Sequence, residues 1–525
     1  MLPFLIQSGV ELHARRTPDA PALVFRGESM TYRHLDEAAN QLAHALLADD
    51  LSPQGRVGIF MHKRLDLGVA IYGALKAGGA FVPLDPMLPP ERLAFIVEDC
   101  GIGHIVSADD RADPLIAMAG LLPEERRPVV YGVENELPLP TRAWADIGQQ
   151  PKARPDVWIV DQDLAYIMYT SGSTGVPKGM MHSHHGSLSY ARWGALEFEL
   201  TAEDRVASHA PLHFDLSIFD FFSTSQAGAS VVLVPEPVTK FPASWTKTID
   251  DESISVVFTV PFTLIEMLNR GAMEERSLAS LRWVLFGGEP FPPKHLKALM
   301  AKLPEVRFTN VYGPAEAPSC TCYHVPGIED EDVPLPIGTV SLNSADLIVD
   351  DDDTPCPDGT PGELLIRSST LTKGYWNRPD LNDRIFLEQP RFGPFVDKYY
   401  RTGDLVVRGA DGLLRFLGRK DRMIKTRGHR VELDEVEAAL ASHEAVLEAA
   451  AFAVPDEHGS KAISSAVTLR PGAAASDDVL LRHARTKLPA YALPRRVRVL
   501  DAFPRTTSGK IDRKRLAQDD AGGPS

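Results

Sequence analysis

Residues 169–179 read YTSGSTGVPKG, and this stretch decides how the rest of the chain is interpreted. It follows the apolar run AYIM, which predicts a buried strand leading into a loop rich in glycine and hydroxyl side chains. Such a loop presents backbone N–H groups and hydroxyls to an anion, and its glycines let the backbone approach a phosphate closely. Lys178 adds a positive charge. The spacing differs from a Walker A sequence, which disfavours an ordinary P-loop fold.

The chain has 525 residues and a formal net charge of −16, and 44% of its residues are hydrophobic. This length predicts two or more folding units, and the composition is typical of a globular protein. An acidic surface disfavours nucleic acid and anionic membranes as partners. Because the N-terminus lacks the features of a signal peptide and no apolar run approaches a membrane span, we expect a cytoplasmic protein without membrane contact.

Of four cysteines, only Cys320 and Cys322 lie close together. A single CxC pair without a second Cys or His pair nearby is a poor zinc signature. We therefore expect both residues to be small buried side chains on a strand. Low cysteine use also fits a reducing compartment.

Apolar runs alternate with helical patterns, which predicts an α/β fold with parallel-rich sheets covered by helices. Residues 31–47 have apolar side chains at helical spacing. From about 336 to 417, short strands divided by Gly, Pro and Asp turns predict a small β-barrel-like unit. Helix and strand patterns return after about 420. Strand-like runs in the first part are 57–61, 231–234, 256–259, 283–286 and 308–312.

TSGSTGVPKG is similar to the signature loop of the adenylate-forming superfamily, which comprises acyl-CoA synthetases, luciferases and the adenylation domains of non-ribosomal peptide synthetases. Further segments resemble motifs of the amino-acid-activating branch and follow in the same order between residues 75 and 516. These segments are LKAGGAFVPLDP, NVYGPAEA, GELLIRS, YRTGDL, GRKDRMIKTRGHRVELDEVE, LPAYALP and PRTTSGKIDRKRL.

The resemblance implies ATP and Mg²⁺ as cofactors. It assigns Tyr312 to stacking on adenine, Asp404 to the ribose hydroxyls and Glu316 to Mg²⁺, roles that suit an aromatic face and ionised carboxylates. Lys510 is the implied catalytic lysine, which neutralises charge as the carboxylate attacks the α-phosphorus. Lys178 is a second implied catalytic residue. The remaining implied nucleotide and phosphate ligands are Thr170, Ser171, Gly172, Ser173, Thr174, Gly175 and Arg419.

The resemblance further implies a large domain over residues 1–420 and a small, mobile α+β domain over residues 421–525. Asp421 matches the hinge position and Gly428 the thiol tunnel of the family. The small domain rotates between adenylate formation and thioester formation, and this rotation exchanges Lys510 for the Gly428 region at the active site.

Asp215 in PLHFDLSIFD resembles the aspartate that pairs with the substrate ammonium in amino-acid-activating relatives. A helix N-cap is the alternative role for this residue. The other aligned pocket positions are uncharged, which predicts a small neutral α- or β-amino acid. These positions are Leu216, Phe219, Thr259, Leu285, Gly287, Val311, Ser319 and Cys320.

The expected acceptor is the phosphopantetheine thiol of a separate acyl or peptidyl carrier protein, in natural-product biosynthesis such as that of antibiotics. We expect no carrier segment within this chain. One alternative is an acyl- or aryl-CoA ligase with CoA as acceptor, since His213 resembles the aromatic gate of those enzymes. Another is an inactive nucleotide-binding paralogue, because Ala315 replaces the usual threonine of GPTE.

Overall fold

The structure is a computed structural model that describes residues 3–170, 176–392, 394–420, 422–456, 461–505 and 511–521. Lys510, Asp421 and the loop residues Ser171, Gly172, Ser173, Thr174 and Gly175 lie outside these ranges. No helix in the described ranges combines the length and the apolar character that crossing a bilayer requires.

The helices and strands follow one another along the whole described chain. The strands are β1 (Pro21–Phe25), β2 (Glu28–Thr31), β3 (Arg56–Phe60), β4 (Ala80–Pro83), β5 (Ile102–Ser107), β6 (Val129–Tyr131), β7 (Thr141–Arg142), β8 (Leu164–Thr170), β9 (Lys178–Ser183), β10 (Arg205–Ser208), β11 (Ser230–Leu233), β12 (Val256–Thr259), β13 (Trp283–Gly287), β14 (Arg307–Tyr312), β15 (Thr321–His324), β16 (Thr339–Val340), β17 (Ser344–Val349), β18 (Gly362–Ser368), β19 (Phe386–Phe392), β20 (Phe395–Arg408), β21 (Leu414–Arg419), β22 (Met423–Thr426), β23 (His429–Glu432), β24 (Val446–Pro455), β25 (Lys461–Leu469) and β26 (Val497–Val499). The α-helices are α1 (Ser8–Arg16), α2 (Tyr32–Ala48), α3 (Asp66–Lys76), α4 (Pro90–Cys100), α5 (Ala112–Gly120), α6 (Trp144–Ile147), α7 (His184–Glu197), α8 (Leu216–Ile218), α9 (Thr224–Ala227), α10 (Glu236–Thr239), α11 (Pro242–Asp251), α12 (Pro261–Arg270), α13 (Pro293–Lys302), α14 (Pro379–Ile385), α15 (Leu433–Ala441), α16 (Asp477–Arg485) and α17 (Arg513–Ala521).

Two large mixed sheets form the centre of the fold. The nine-stranded sheet has the order β16-β15-β14-β13-β12-β10-β11-β1-β2, and its strands from β14 to β1 run parallel. The seven-stranded sheet has the order β7-β6-β5-β3-β4-β8-β9. Because parallel strands end at the same edge, the ends of β12, β13 and β14 come together there. The predicted α/β class is confirmed.

Helix α2 shows how local sequence specifies an element of this fold. The side-chain oxygen of Thr31 accepts a hydrogen bond from the backbone N–H of His34 at 3.2 Å, which caps the helix start. Leu35, Leu42 and Leu46 are buried on one face of the helix. The predicted helix over residues 31–47 is therefore confirmed, with Thr31 as its N-cap.

The smaller sheets occupy the later part of the chain. Strands β17 to β21 form an antiparallel five-stranded sheet, whereas β16 pairs with β15 in the large sheet. The unit predicted over 336–417 therefore overlaps a sheet that extends from Ser344 to Arg419. Strands β22 and β23 form a hairpin, and β24 to β26 form a separate three-stranded sheet. The division of the chain at residue 420 stays a prediction.

Replacing Thr31 with alanine removes the cap of α2, so the free energy of unfolding should fall by roughly 1 kcal/mol. Denaturant titration followed by circular dichroism measures this loss. Thr31→Ser keeps the hydroxyl and should remain close to the parent protein. Equal losses in both variants would show that the methyl group, rather than the cap, stabilises this position.

Candidate active site

A cleft lies where β12, β13 and β14 end, and the hairpin β22–β23 closes one side of it. Predicted residues and newly identified ones both line this cleft. The predicted residues on its walls are Thr170, Asp215, Leu216, Gly287, Val311, Ser319, Asp404, Arg419 and Gly428. Other lining residues are Met168, Tyr190, His213, Phe214, Phe258, Ala315, Met423, Lys425, Arg430 and Tyr491. A larger cleft next to it is lined by Tyr312 and shares Asp404 and Arg419.

Asp404 links two of the predicted nucleotide ligands. Its carboxylate accepts hydrogen bonds from the Tyr312 hydroxyl and from the Arg419 guanidinium. The side chains of Asp404 and Arg419 are 5% and 13% exposed, so the pair faces little water. Burial and the Asp404 charge raise the pKa of Tyr312 well above its usual value. The tyrosine therefore stays neutral, and its hydroxyl donates a hydrogen bond to the Asp404 carboxylate.

Glu316 is fully buried and bound by an arginine from the hairpin. Nη1 of Arg430 donates to both carboxylate oxygens of Glu316, at 2.9 and 2.8 Å. Burial alone would raise the pKa of Glu316, but the charges of Arg430 and Lys178 outweigh burial and lower it to about 2. The predicted metal ligand is thus an ionised carboxylate that Arg430 neutralises in this arrangement.

Tyr375 connects Lys178 with Glu316. The Tyr375 hydroxyl donates to the Glu316 carboxylate, and Nζ of Lys178 donates to the Tyr375 hydroxyl at 3.2 Å. The ammonium also lies 4.5 Å from the centre of the Tyr375 ring, within range of a cation–π contact. Lys178 is buried, so these contacts fix its ammonium group at the start of β9.

The hairpin β22–β23 brings four residues to the cleft, namely Met423, Lys425, Gly428 and Arg430. Burial lowers the pKa of Lys425, and the charges of Asp404 and Asp215 oppose this effect. Gly428 has a φ of +80°, and a Cβ there would lie 2.4 Å from Cγ1 of Val260. A glycine is therefore required for the hairpin to pack this closely.

Aromatic contacts hold the same hairpin against both sides of the cleft. The His429 ring stacks on Tyr491 with 4.0 Å between centroids, and Phe214 meets His429 edge-on at 4.8 Å. Burial lowers the pKa of His429 to about 4, so the imidazole is neutral at physiological pH.

Asp215 stands in the N-cap position of α8, but its side chain makes no capping hydrogen bond. The carboxyl lines the cleft instead. Burial raises its pKa, and the charge of Lys425 partly offsets that rise. A carboxylate in this position favours a cationic ligand group.

Four of the aligned substrate positions do not line the cleft: Phe219, Thr259, Leu285 and Cys320 are buried in the packing around it. Thr259 contacts Nδ1 of His209 at 3.2 Å, while its neighbour Phe258 faces the cleft. Phe219 packs edge-on against Phe258 with centroids 5.6 Å apart, and so supports the cleft wall from behind.

Sequence reasoning did not single out Lys425, Arg430, Tyr375 or Phe258. Lys425 and Arg430 fall inside the segment GRKDRMIKTRGHRVELDEVE, so the quoted motif already contained them. Tyr375 follows the GELLIRS strand in an ordinary KGYW turn, and Phe258 is an apolar residue in a buried strand. Neither residue has a chemical signature that periodicity would reveal.

Comparison with known proteins agrees with this geometry. The family model described as AMP-binding enzyme matches residues 10–376, and the model for its C-terminal domain matches residues 435–510. An L-proline–[L-prolyl-carrier protein] ligase of Pseudomonas fluorescens is 36% identical over 504 residues, which cover 96% of this chain and 97% of that protein.

A protein of the linear gramicidin synthase of Brevibacillus parabrevis is 35% identical over 98% of this chain, and the chain spans 6% of that protein's length. The solved structure of an amide bond synthetase from Marinactinospora thermotolerans has the same fold. The two structures superpose with a TM-score of 0.87 at 24% sequence identity, and the match covers 98% of this chain and 99% of the synthetase chain. Because the AMP-binding enzyme model matches more than half of the residues, this chain belongs to the AMP-binding enzyme family.

Proposed function

We propose that this chain uses ATP to convert a small neutral amino acid into its aminoacyl-AMP and then transfers the acyl group to the phosphopantetheine thiol of a separate carrier protein. The observation that carries the proposal is Asp215, a carboxylate on the wall of an otherwise mostly apolar part of the cleft. The ligase from Pseudomonas fluorescens, which matches nearly end to end, has such a carrier-loading activity in its name.

The contacts around Asp215 favour an amino acid over a simple carboxylic acid. Leu216, Gly287 and Val311 lie on the same cleft and carry no charge. A substrate ammonium would supply a positive charge directly to this buried carboxylate, whose burial the charge of Lys425 offsets only in part. The neighbouring side chains favour a small neutral substituent on the acid.

The nucleotide would occupy the part of the cleft near Tyr312, Asp404 and Arg419. Asp404 has two carboxylate oxygens, which suits recognition of neighbouring ribose hydroxyls. The ionised, buried Glu316 fits Mg²⁺, a hard cation that prefers carboxylate and phosphate oxygens. Mg²⁺, when bound, screens the phosphate charges, and Glu316 would hold it once Arg430 withdraws.

We assign this position of the hairpin to the second half-reaction. With Gly428 and Arg430 at the cleft and Arg430 paired with the Glu316 carboxylate, Mg²⁺ would lack its ligand there, which supports a role in thiol transfer rather than in adenylate formation. Rotation about Asp421 would remove the hairpin and bring Lys510 to the carboxylate and α-phosphate. Lys510 would then neutralise the charge that develops between two anionic reactants.

Asp215→Ala should lower kcat/KM for the preferred amino acid in ATP–pyrophosphate exchange by roughly 30-fold or more, because the substrate ammonium loses a buried countercharge. The assay compares a panel of α- and β-amino acids with the same acids lacking the amino group. Asp411→Ala, which removes an exposed carboxylate paired with Arg415, is the matched control and should exchange normally.

A parent enzyme that activates the deaminated acids equally well would contradict the proposal. His213 lines the cleft as the aromatic gate of a CoA ligase would, so the same enzyme is also offered CoA and a phosphopantetheinylated carrier protein. Thioester formation with CoA alone favours the ligase alternative, whereas transfer to the carrier supports the proposal.

Gly428→Ala should slow thioester formation by tenfold or more, while pyrophosphate exchange stays within about twofold of the parent rate. The added methyl group would strain a backbone at φ +80° and meet Val260, so the hairpin could not enter the cleft. Gly412→Ala is the control. Gly412 has a similar φ of +77°, so the backbone strain is comparable, but a Cβ added there would contact nothing within 4 Å. Equal losses in both half-reactions would contradict the assigned role of the hairpin.

Arg430→Ala should lower the Mg²⁺ concentration that gives half-maximal pyrophosphate exchange. Arg430 and Mg²⁺ require the same carboxylate, so removal of the arginine shifts the equilibrium toward the arrangement that binds the metal. The apparent Mg²⁺ affinity should rise tenfold for about each 1.4 kcal/mol by which the Arg430 contact had favoured the other arrangement. Arg427→Ala removes another hairpin arginine, which lies over the Phe262 ring, and serves as the control. An unchanged Mg²⁺ dependence would exclude competition at Glu316.

A further inference from the structure

We propose that Glu197, Cys322 and His324 form a binding site for a zinc-type divalent cation, separate from the cleft. The three residues meet where the end of α7 approaches β15. Their ligand atoms, one from each residue, all lie within 4.8 Å of one another.

The distances are close to those of a tetrahedral site. Oε1 of Glu197 lies 3.0 Å from Nε2 of His324 and 3.7 Å from Sγ of Cys322. Two ligand atoms bound to zinc at about 2.0–2.3 Å and a tetrahedral angle are separated by about 3.3–3.6 Å. Small adjustments of two side chains therefore suffice to place a cation between the three atoms, with solvent as the fourth ligand.

His324 is already oriented for this role. Its Nδ1 lies 2.9 Å from Oγ1 of Thr309, and that hydroxyl accepts a hydrogen bond from Nε1 of Trp283 at 2.9 Å. Thr309 is fully buried and directly opposite His324 in the β14–β15 ladder. In the metal-free arrangement, Nε2 donates its N–H to the Glu197 carboxylate, and the Thr309 hydroxyl donates to Nδ1. Because this hydroxyl can equally accept a hydrogen bond from Nδ1, it can also support the tautomer that leaves the Nε2 lone pair free for a metal.

The ligand set and its charge determine which cation fits. One nitrogen, one sulfur and one carboxylate oxygen favour Zn²⁺ or Co²⁺ over Mg²⁺. On binding, the Cys322 thiol gives up its proton to solvent, and the thiolate and the Glu197 carboxylate then balance a divalent charge. The nearby cations Arg307 and Arg282 are paired with Glu199 and Asp204, so they leave this balance unchanged.

The site is open to an ion from solvent, since the His324 side chain is 52% exposed. It would join two elements that also support the cleft. Tyr190 of α7 lines the cleft and accepts a hydrogen bond from the Ser319 hydroxyl at 3.3 Å, shortly before β15 begins. A bound ion would therefore link the end of α7 to β15. These two elements are also connected at the cleft through the Tyr190–Ser319 hydrogen bond.

This site was not predicted from the sequence, because Cys322 was considered only as the partner of Cys320 in the CxC pair. The metal-binding pair is Cys322 and His324, two positions apart on one face of a strand, and the third ligand is 125 residues away from Cys322. Cys320 is buried in another cluster, as expected, although it lies just before β15 and not on a strand. For Cys322, which is partly exposed, the expectation of a buried side chain is wrong.

Titration of the chelator-treated full-length protein with Co²⁺ tests the proposal. One equivalent bound at micromolar concentration should produce an intense near-ultraviolet absorption from thiolate-to-cobalt charge transfer, and Zn²⁺ should displace it. Cys322→Ser should abolish this band, and His324→Ala should weaken binding by about tenfold or more. Cys356→Ser, which changes a partly exposed cysteine elsewhere, should leave the band intact.

The thiolate band separates this site from Co²⁺ bound at Glu316, where the described contacts include no cysteine. Circular dichroism of each variant confirms that its fold is retained. Absence of the band at micromolar Co²⁺, its appearance only at millimolar Co²⁺, or its persistence in Cys322→Ser would overturn the proposal. As a second measurement, Zn²⁺ should raise the thermal midpoint of the parent protein and leave that of Cys322→Ser unchanged.

Discussion

The pairing of the Glu316 carboxylate with the Arg430 guanidinium is the interaction on which the arrangement of the cleft depends. Glu316 is fully buried, and an unpaired buried charge would cost several kcal/mol. Arg430 belongs to the hairpin β22–β23, so the ion pair fixes that hairpin against the ends of the parallel strands. Lys425 and Gly428 reach the cleft because they are part of the same hairpin.

The same carboxylate would take part in both of the proposed half-reactions. Under the proposed function, Glu316 needs a positive partner in both steps, Mg²⁺ during adenylate formation and Arg430 during transfer. Because the two partners compete for the same oxygens, the hairpin and the metal exclude each other.

Local patterns in the sequence predict the elements of this fold well, but they do not predict which residues reach the cleft. Helix α2 and strand β12 follow from apolar spacing and from the cap at Thr31. The contact of Arg430 with Glu316 spans 114 residues, and that of Tyr375 with Glu316 spans 59, so no local pattern contains either. On β12, adjacent side chains point to opposite faces, and the family resemblance selected Thr259 where Phe258 faces the cleft.

The replacement of the usual threonine by Ala315 has a compensating feature in the cleft itself. Ala315 and Thr170 line the same wall, and the Thr170 hydroxyl is buried with no hydrogen-bond partner among the described residues. A buried hydroxyl without a partner costs free energy, which a ligand oxygen can recover. Under the proposed function, Thr170 would therefore offer a phosphate the kind of contact that Ala315 lacks. Thr170 belongs to the signature loop, so the loss of the GPTE threonine leaves this hydroxyl in place, which disfavours the inactive-paralogue alternative.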